Sequence, residues 1–73
     1  MQADIEKEIE EWFIYHAPTG DDEKHYAALR EAAKSCVKII VAHTPRCADQ
    51  SAAIRKVREA VMTANAAVAC KGI

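Results

Sequence analysis

The chain has 73 residues, 51% of them apolar and only 5% aromatic, with 15 alanines and a net charge of −1. A chain this short buries only about 60% of its unfolded surface, and its core rarely supplies more than about 3–5 kcal/mol without a staple, a metal or a partner subunit. These facts argue against a self-contained enzyme with a deep cleft, and the near-neutral charge argues against a nucleic-acid coat, which needs a broad basic surface.

Alanine is the best helix former, so the chain reads as all-α. It forms one domain over residues 1–73, a short N-terminal helix followed by a long antiparallel helical hairpin. Alanine buries little area per residue, which favours a protomer that completes its core with copies of itself. Charge is unevenly placed. Residues 1–23 hold eight acids and Lys7, net −7, and residues 24–73 hold nine bases and three acids, net +6. Such asymmetry marks either an anion-binding face or two segments that complement each other.

The first helix is expected over residues 3–15. Ile5, Ile9, Trp12 and Phe13 recur at helical spacing, with glutamates and Lys7 opposite. Acids crowd its first turns, where the helix dipole favours them. Pro18 disfavours helix at Ala17, and Gly20 gives a free backbone to the bend that follows.

The second helix is expected over residues 21–43, capped by Thr19 or Asp21 and stopped by Pro45, which forces Thr44 out of helical geometry. It carries two apolar stripes. Tyr26, Leu29, Ala33, Cys36 or Val37, and Ile40 form one, and Ala28, Ala32, Ser35, Ile39 and Ala42 form the other. Arg30, Lys34 and Lys38 make a basic ridge between them. A surface helix has one apolar face, so a second stripe points to oligomerisation.

The third helix is expected over residues 49–70, with Asp49 as N-cap. Ile54, Val57, Val61, Ala64 and Val68 form its stripe, with Met62 and Ala66 beside it. A short connection between two long helices makes an antiparallel hairpin.

Catalytic signals are weak. His16, His25 and His43 lack metal-ligand spacing, and neither H-E-x-x-H nor G-x-S-x-G occurs. A zinc site from His16, His43 and Cys47 is conceivable but disfavoured. Ser35 and Ser51 have no activating base nearby in sequence. No enzyme, cofactor or metal is expected. Cys36, Cys47 and Cys70 are odd in number and make no disulfide framework. Cys36 and Cys70 read as small hydrophobes, and a reducing cytoplasm is the simplest compartment. The acidic N-terminus is unlike a signal peptide, and no run reaches a membrane span.

Binding signals are stronger. Three of the four aromatics fall in Trp12-Phe13-Ile14-Tyr15-His16-Ala17-Pro18-Thr19. Stacking on an aromatic contributes about 1–3 kcal/mol per base. Trp12 and Phe13 are expected to close the hairpin core, which leaves Tyr15 and His16 as ligand candidates. Arg30, Lys34, Arg55 and Arg58 are suited to phosphates, arginine bidentately, although for any single one of them a solvated or salt-bridged surface role is the stronger expectation. Glu31 with Arg30 or Lys34, and Glu59 with Arg55, are the expected structural pairs. Asn65 sits in a small apolar run, so its amide needs either an interhelical bond or a ligand.

Three strings carry a resemblance: Trp12 to Thr19; Tyr26, Leu29, Arg30, Ala32, Ala33 and Lys34; and Ala48-Asp49-Gln50-Ser51 through Ala64-Asn65-Ala66-Ala67. Together they resemble the phage anti-CBASS cyclic-nucleotide sponge family, whose helical hairpin is shared with a phage anti-Thoeris sponge. The resemblance implies small all-helical proteins assembled as homohexamers. It implies binding of cyclic dinucleotides such as cyclic GMP-AMP, and in some members cyclic trinucleotides at separate sites, without cleavage. The ligand is thereby kept from host effectors in the cytoplasm of the infected bacterium. Tyr15 would stack on or border a base, Pro18 and Thr19 would shape the pocket, and Arg30 or Lys34 would meet the phosphates. No DNA or membrane partner is implied. The competing reading is a helical protein-interaction module with no nucleotide ligand.

Overall fold

A glutamate-rich run and two alanine-rich runs, separated by helix-breaking segments, produce three helices, α1 (Gln2–Phe13), α2 (Asp22–His43) and α3 (Ala48–Ala69), with no strand among the described residues. The computed structural model describes residues 2–72, with side chains from residue 4 onward. α1 stops at Phe13, two residues short of the expected Tyr15. The cause is local. The last four carbonyls of a helix have no intrahelical donor, and His16 folds back so that its Nε2–H donates to the Glu11 carbonyl at 2.7 Å.

α2 begins where the turn Thr19-Gly20-Asp21-Asp22 closes through a bond from the Asp22 amide to the Thr19 carbonyl at 3.0 Å. Asp21 occupies the N-cap position but makes no side-chain capping bond. The Asp22 carboxylate instead reaches back to the Thr19 amide at 2.9 Å, across the turn that leads into the helix. Gly20 has φ +57° and open space around it. Gly20→Ala should therefore cost about 1 kcal/mol from the left-handed backbone alone. Chemical denaturation measures this, and equal stability would show that the bend takes another conformation in solution.

α2 ends as Pro45 requires, with Thr44 extended at φ −130°, ψ 150°. Thr44 Oγ1 donates to the Ile40 carbonyl at 2.6 Å, and Gln50 Nε2 reaches back to the Thr44 carbonyl at 3.2 Å. The N-cap of α3 is Cys47 rather than the expected Asp49. The helix starts one residue early, which moves Asp49 into the first turn, where the dipole still favours its charge.

α2 and α3 pack antiparallel, joined at one end by the Thr44–Gln50 contact and at the other by an ion pair from Lys71 to Asp22. Tyr26, Leu29, Ala33, Val37 and Ile40 meet Ile54, Val57, Val61, Ala64 and Val68, and all ten are half-buried. The second stripe of α2, Ala28, Ala32, Ser35, Ile39 and Ala42, is exposed throughout, as are Cys36 and Met62. The sequence placed Cys36 or Val37 in the packed stripe. The packing selects Val37, one residue further round the helix.

Trp12 and Phe13 do not close the hairpin core. They are 45% and 82% exposed, because α1 makes no packing with α2 or α3 comparable to theirs with each other. The radius of gyration is 15.8 Å, against about 11 Å for a compact chain of this length. Among the described residues Cys70, 5% exposed, is the one buried apolar side chain, and none is fully enclosed. Two helices facing each other bury one stripe apiece and leave every other apolar stripe in water.

Candidate functional site

Four cations converge on one groove. Arg30, Lys34 and Lys38 come from three successive turns of α2 and Arg58 comes from α3. Between them Ala33, Val37, Ile54, Val57 and Val61 form an apolar floor, and the hollow measures about 480 Å³. The antiparallel packing turns a sequence ridge into one wall of this groove and supplies Arg58 from the other side. Among the described residues neither Glu31 nor Glu59 pairs with these or other arginines, contrary to expectation, so the groove cations keep their charge available. A cationic rim over an apolar floor suits a flat anionic ligand. A larger hollow, about 1000 Å³, lies beside α1, but five carboxylates and Lys7 line it, and that charge repels phosphate.

The other sequence candidates lie elsewhere. Tyr15 is 85% exposed on the bend between α1 and α2. Pro18 and Thr19 share that bend and are exposed. Arg30 and Lys34 stand about 12 and 18 Å along α2 from its start, and Tyr15 is not part of the groove they line. Arg55 is exposed outside the groove. Asn65 also lies outside it, and its buried Oδ1 has no hydrogen-bond partner. A buried acceptor without a donor costs about 1–3 kcal/mol.

His16 is engaged within the chain. Its Nε2 meets the Glu11 carbonyl at 2.7 Å, the Glu11 carboxylate at 3.7 Å and the Cys70 sulfur at 3.9 Å. A thiol–imidazole–carboxylate triad needs both ring nitrogens, one for each partner. Here a single nitrogen makes every contact, so the cluster caps α1 rather than activating Cys70. Among the described residues no three His, Cys, Asp or Glu side chains come together to hold a metal ion.

The second cluster at the bend escaped the sequence reading. Asp22 is 7% exposed. Its carboxylate accepts from Lys71 Nζ at 2.8 and 2.9 Å, from the Thr19 amide at 2.9 Å and from Thr19 Oγ1 at 3.4 Å. The Lys71 hydrogen bonds and then the Thr19 amide hold the Asp22 carboxyl below its usual 3.8, against the opposing push of burial. A depressed carboxyl contributes stability that is full above its unfolded pKa and lost as pH falls through the folded one. Wild type should therefore melt above Lys71→Met at neutral pH, with the gap closing as pH drops below 3.8. Circular dichroism across an acid series checks this, and a gap that persisted at the lowest pH would count against the pairing. The signal in the sequence was the Thr19-x-x-Asp22 spacing, read only for its threonine.

The family model described as Acb2/Tad1, hairpin domain, matches residues 5–69. The chain belongs to this family. Membership covers all but the ends of the chain and agrees with the three-helix, all-α architecture. It is consistent with a phage sponge for cyclic nucleotides, a binding rather than a catalytic role. No curated protein and no solved structure matches the chain. As an Acb2/Tad1 hairpin, the protein presents a cationic groove on its hairpin and an exposed aromatic on its bend. No helix among its described residues is long and apolar enough to cross a membrane.

Proposed function

We propose that this Acb2/Tad1 hairpin protein binds cyclic dinucleotides such as cyclic GMP-AMP without cleaving them. Acting for a phage in the cytoplasm of the infected host, it withholds the messenger from CBASS effectors. The observation that carries the reading is the groove, where Arg30, Lys34, Lys38 and Arg58 surround an apolar floor in a chain of this family. A cyclic dinucleotide offers two phosphates and two flat bases, and the groove answers with charge and apolar surface.

The function requires a homo-oligomer, of which the family resemblance implies a hexamer. Ile5, Ile9, Phe13, Ile14, Ile39 and Val41 are exposed, and an apolar surface of this extent marks an association face. A second copy also solves the geometry of the site. Tyr15 of one copy stacks on a base while Arg30 or Lys34 of another meets a phosphate, so a symmetric ligand sits at a symmetric interface. Pro18 and Thr19 shape the wall beside Tyr15. Arg55 and Asn65, which lie outside the groove, are candidates for a second class of site, one that takes cyclic trinucleotides. His16 contributes by fixing the bend.

Calorimetry with cyclic GMP-AMP and cyclic tri-adenylate tests the proposal, with light scattering for the assembly. Heat at micromolar ligand and recovery of intact ligand after the protein is denatured are expected. No heat with either ligand would sink the proposal, and a linear product would make the protein an enzyme. The exposed apolar face of α1 favours a second reading, a helical module that docks a protein partner. That reading leaves the four groove cations without a role, and a silent titration would favour it.

A further inference from the structure

Lys71 is the point where the backbone departs from what its residue prefers. α3 ends in a paired set of bonds, Gly72 amide to Ala67 carbonyl at 3.0 Å and Lys71 amide to Val68 carbonyl at 3.3 Å, the Schellman arrangement. The position between the helix and Gly72 takes a left-handed backbone and is usually glycine. Here it is a lysine at φ 54°. A residue held in a disfavoured backbone region persists where its surroundings require it. The requirement is visible, since this backbone delivers Nζ to both oxygens of the nearly buried Asp22.

Asp22 in turn grips Thr19 through its amide and hydroxyl. Cys70, the neighbour of Lys71, donates to the Glu11 carbonyl at 3.8 Å and touches His16. Two consecutive residues at the end of α3 thus secure both sides of the bend that carries Tyr15 and Pro18. By contrast, the Lys24–Asp21 pair on the same turn spans 3.8 Å with both side chains exposed, a geometry worth little.

We propose that Lys71 and Asp22 form a clasp that positions the bend for ligand. They do not touch the nucleotide. They fix Thr19, and through it Pro18 and Tyr15, in one conformation before the ligand arrives. This role rests on the cyclic-dinucleotide reading above. Preorganisation of this kind raises affinity by removing the ordering cost from the binding step.

Lys71→Gly separates positioning from mere stability. Glycine suits the left-handed backbone, so it relieves strain while it deletes the ion pair. The expected result is an unchanged helix content and melting temperature, with the Thr19 amide exchanging about tenfold faster in the free protein. The dissociation constant for cyclic GMP-AMP should rise about tenfold. Lys71→Arg, which keeps the charge, should restore wild-type exchange and affinity. A Lys71→Gly affinity within twofold of a wild type that binds would overturn the proposal. If wild type binds no cyclic nucleotide, the functional reading falls by itself. The clasp is then judged by Thr19 exchange alone, where unchanged protection overturns it and faster exchange supports it.

Discussion

Tyr15→Ala should abolish detectable cyclic dinucleotide binding while leaving the assembly intact. The ring is almost fully in water in the free chain, so its removal costs the protomer little. At a symmetric site two such rings act on one ligand. At about 1–3 kcal/mol per stacked base, their joint loss weakens affinity by between about 30-fold and well over a thousandfold. Calorimetry measures the loss, and light scattering verifies the mass. Unchanged affinity would show that the bend is not the base-stacking part of the site.

Ile9→Glu should lower the mass of the assembly. Ile5, Ile9 and Trp12 follow one another at helical spacing on one face of α1, exposed by 40%, 44% and 45%. Within a single chain this face meets no helix comparable to the α2–α3 pair, so the substitution spares the hairpin. In an oligomer that covers the face, each copy loses the burial of one isoleucine, about 1.5–3 kcal/mol, and gains a carboxylate to desolvate. Because every copy carries the change, the effect accumulates over the assembly. Size-exclusion chromatography with light scattering gives the outcome. A variant of unchanged mass would place the interface on another face, and the exposed second stripe of α2 is the next candidate.

The two variants separate ligand contact from assembly. If Tyr15→Ala alone removed ligand and Ile9→Glu removed both ligand and mass, the site would lie between copies. If Ile9→Glu reduced mass and left affinity untouched, one protomer would hold the whole site. In that case the groove cations would act without Tyr15 of a second copy.

Much of the fold was legible in the residues themselves. Proline and glycine punctuate an alanine-rich chain, and those breaks alone give three helices. Period-3.6 spacing picked out the stripe from Tyr26 to Ile40 and that from Ile54 to Val68, and a short connection between long helices leaves them antiparallel, but which of the two α2 stripes faces α3 was decided by the packing. The sequence also placed Arg30, Lys34 and Lys38 on one ridge, which depends only on the four-residue repeat. Family membership likewise follows from the residues, without reference to the fold.

What lay beyond the sequence depends on contacts between distant residues. Spacing shows that Trp12 and Phe13 share a helix with Ile5 and Ile9. It does not show that α1 stays off the hairpin, because that turns on the direction of an eight-residue bend. The bend is set by Gly20 at positive φ, by His16 on Glu11 and by Asp22 on Thr19. Arg58 joined the groove, while Arg55, nearly one turn earlier on α3, did not. One-dimensional spacing cannot fix which side of α3 faces the ridge. Lys71 carries no pattern in the sequence that ties it to Asp22, and only the closed hairpin brings it across 49 positions to that carboxylate. Local helix identity follows from short-range periodicity and steric punctuation, and those are written in the chain. Pairings across the hairpin arise only after the two ends meet, and tertiary structure alone decided them.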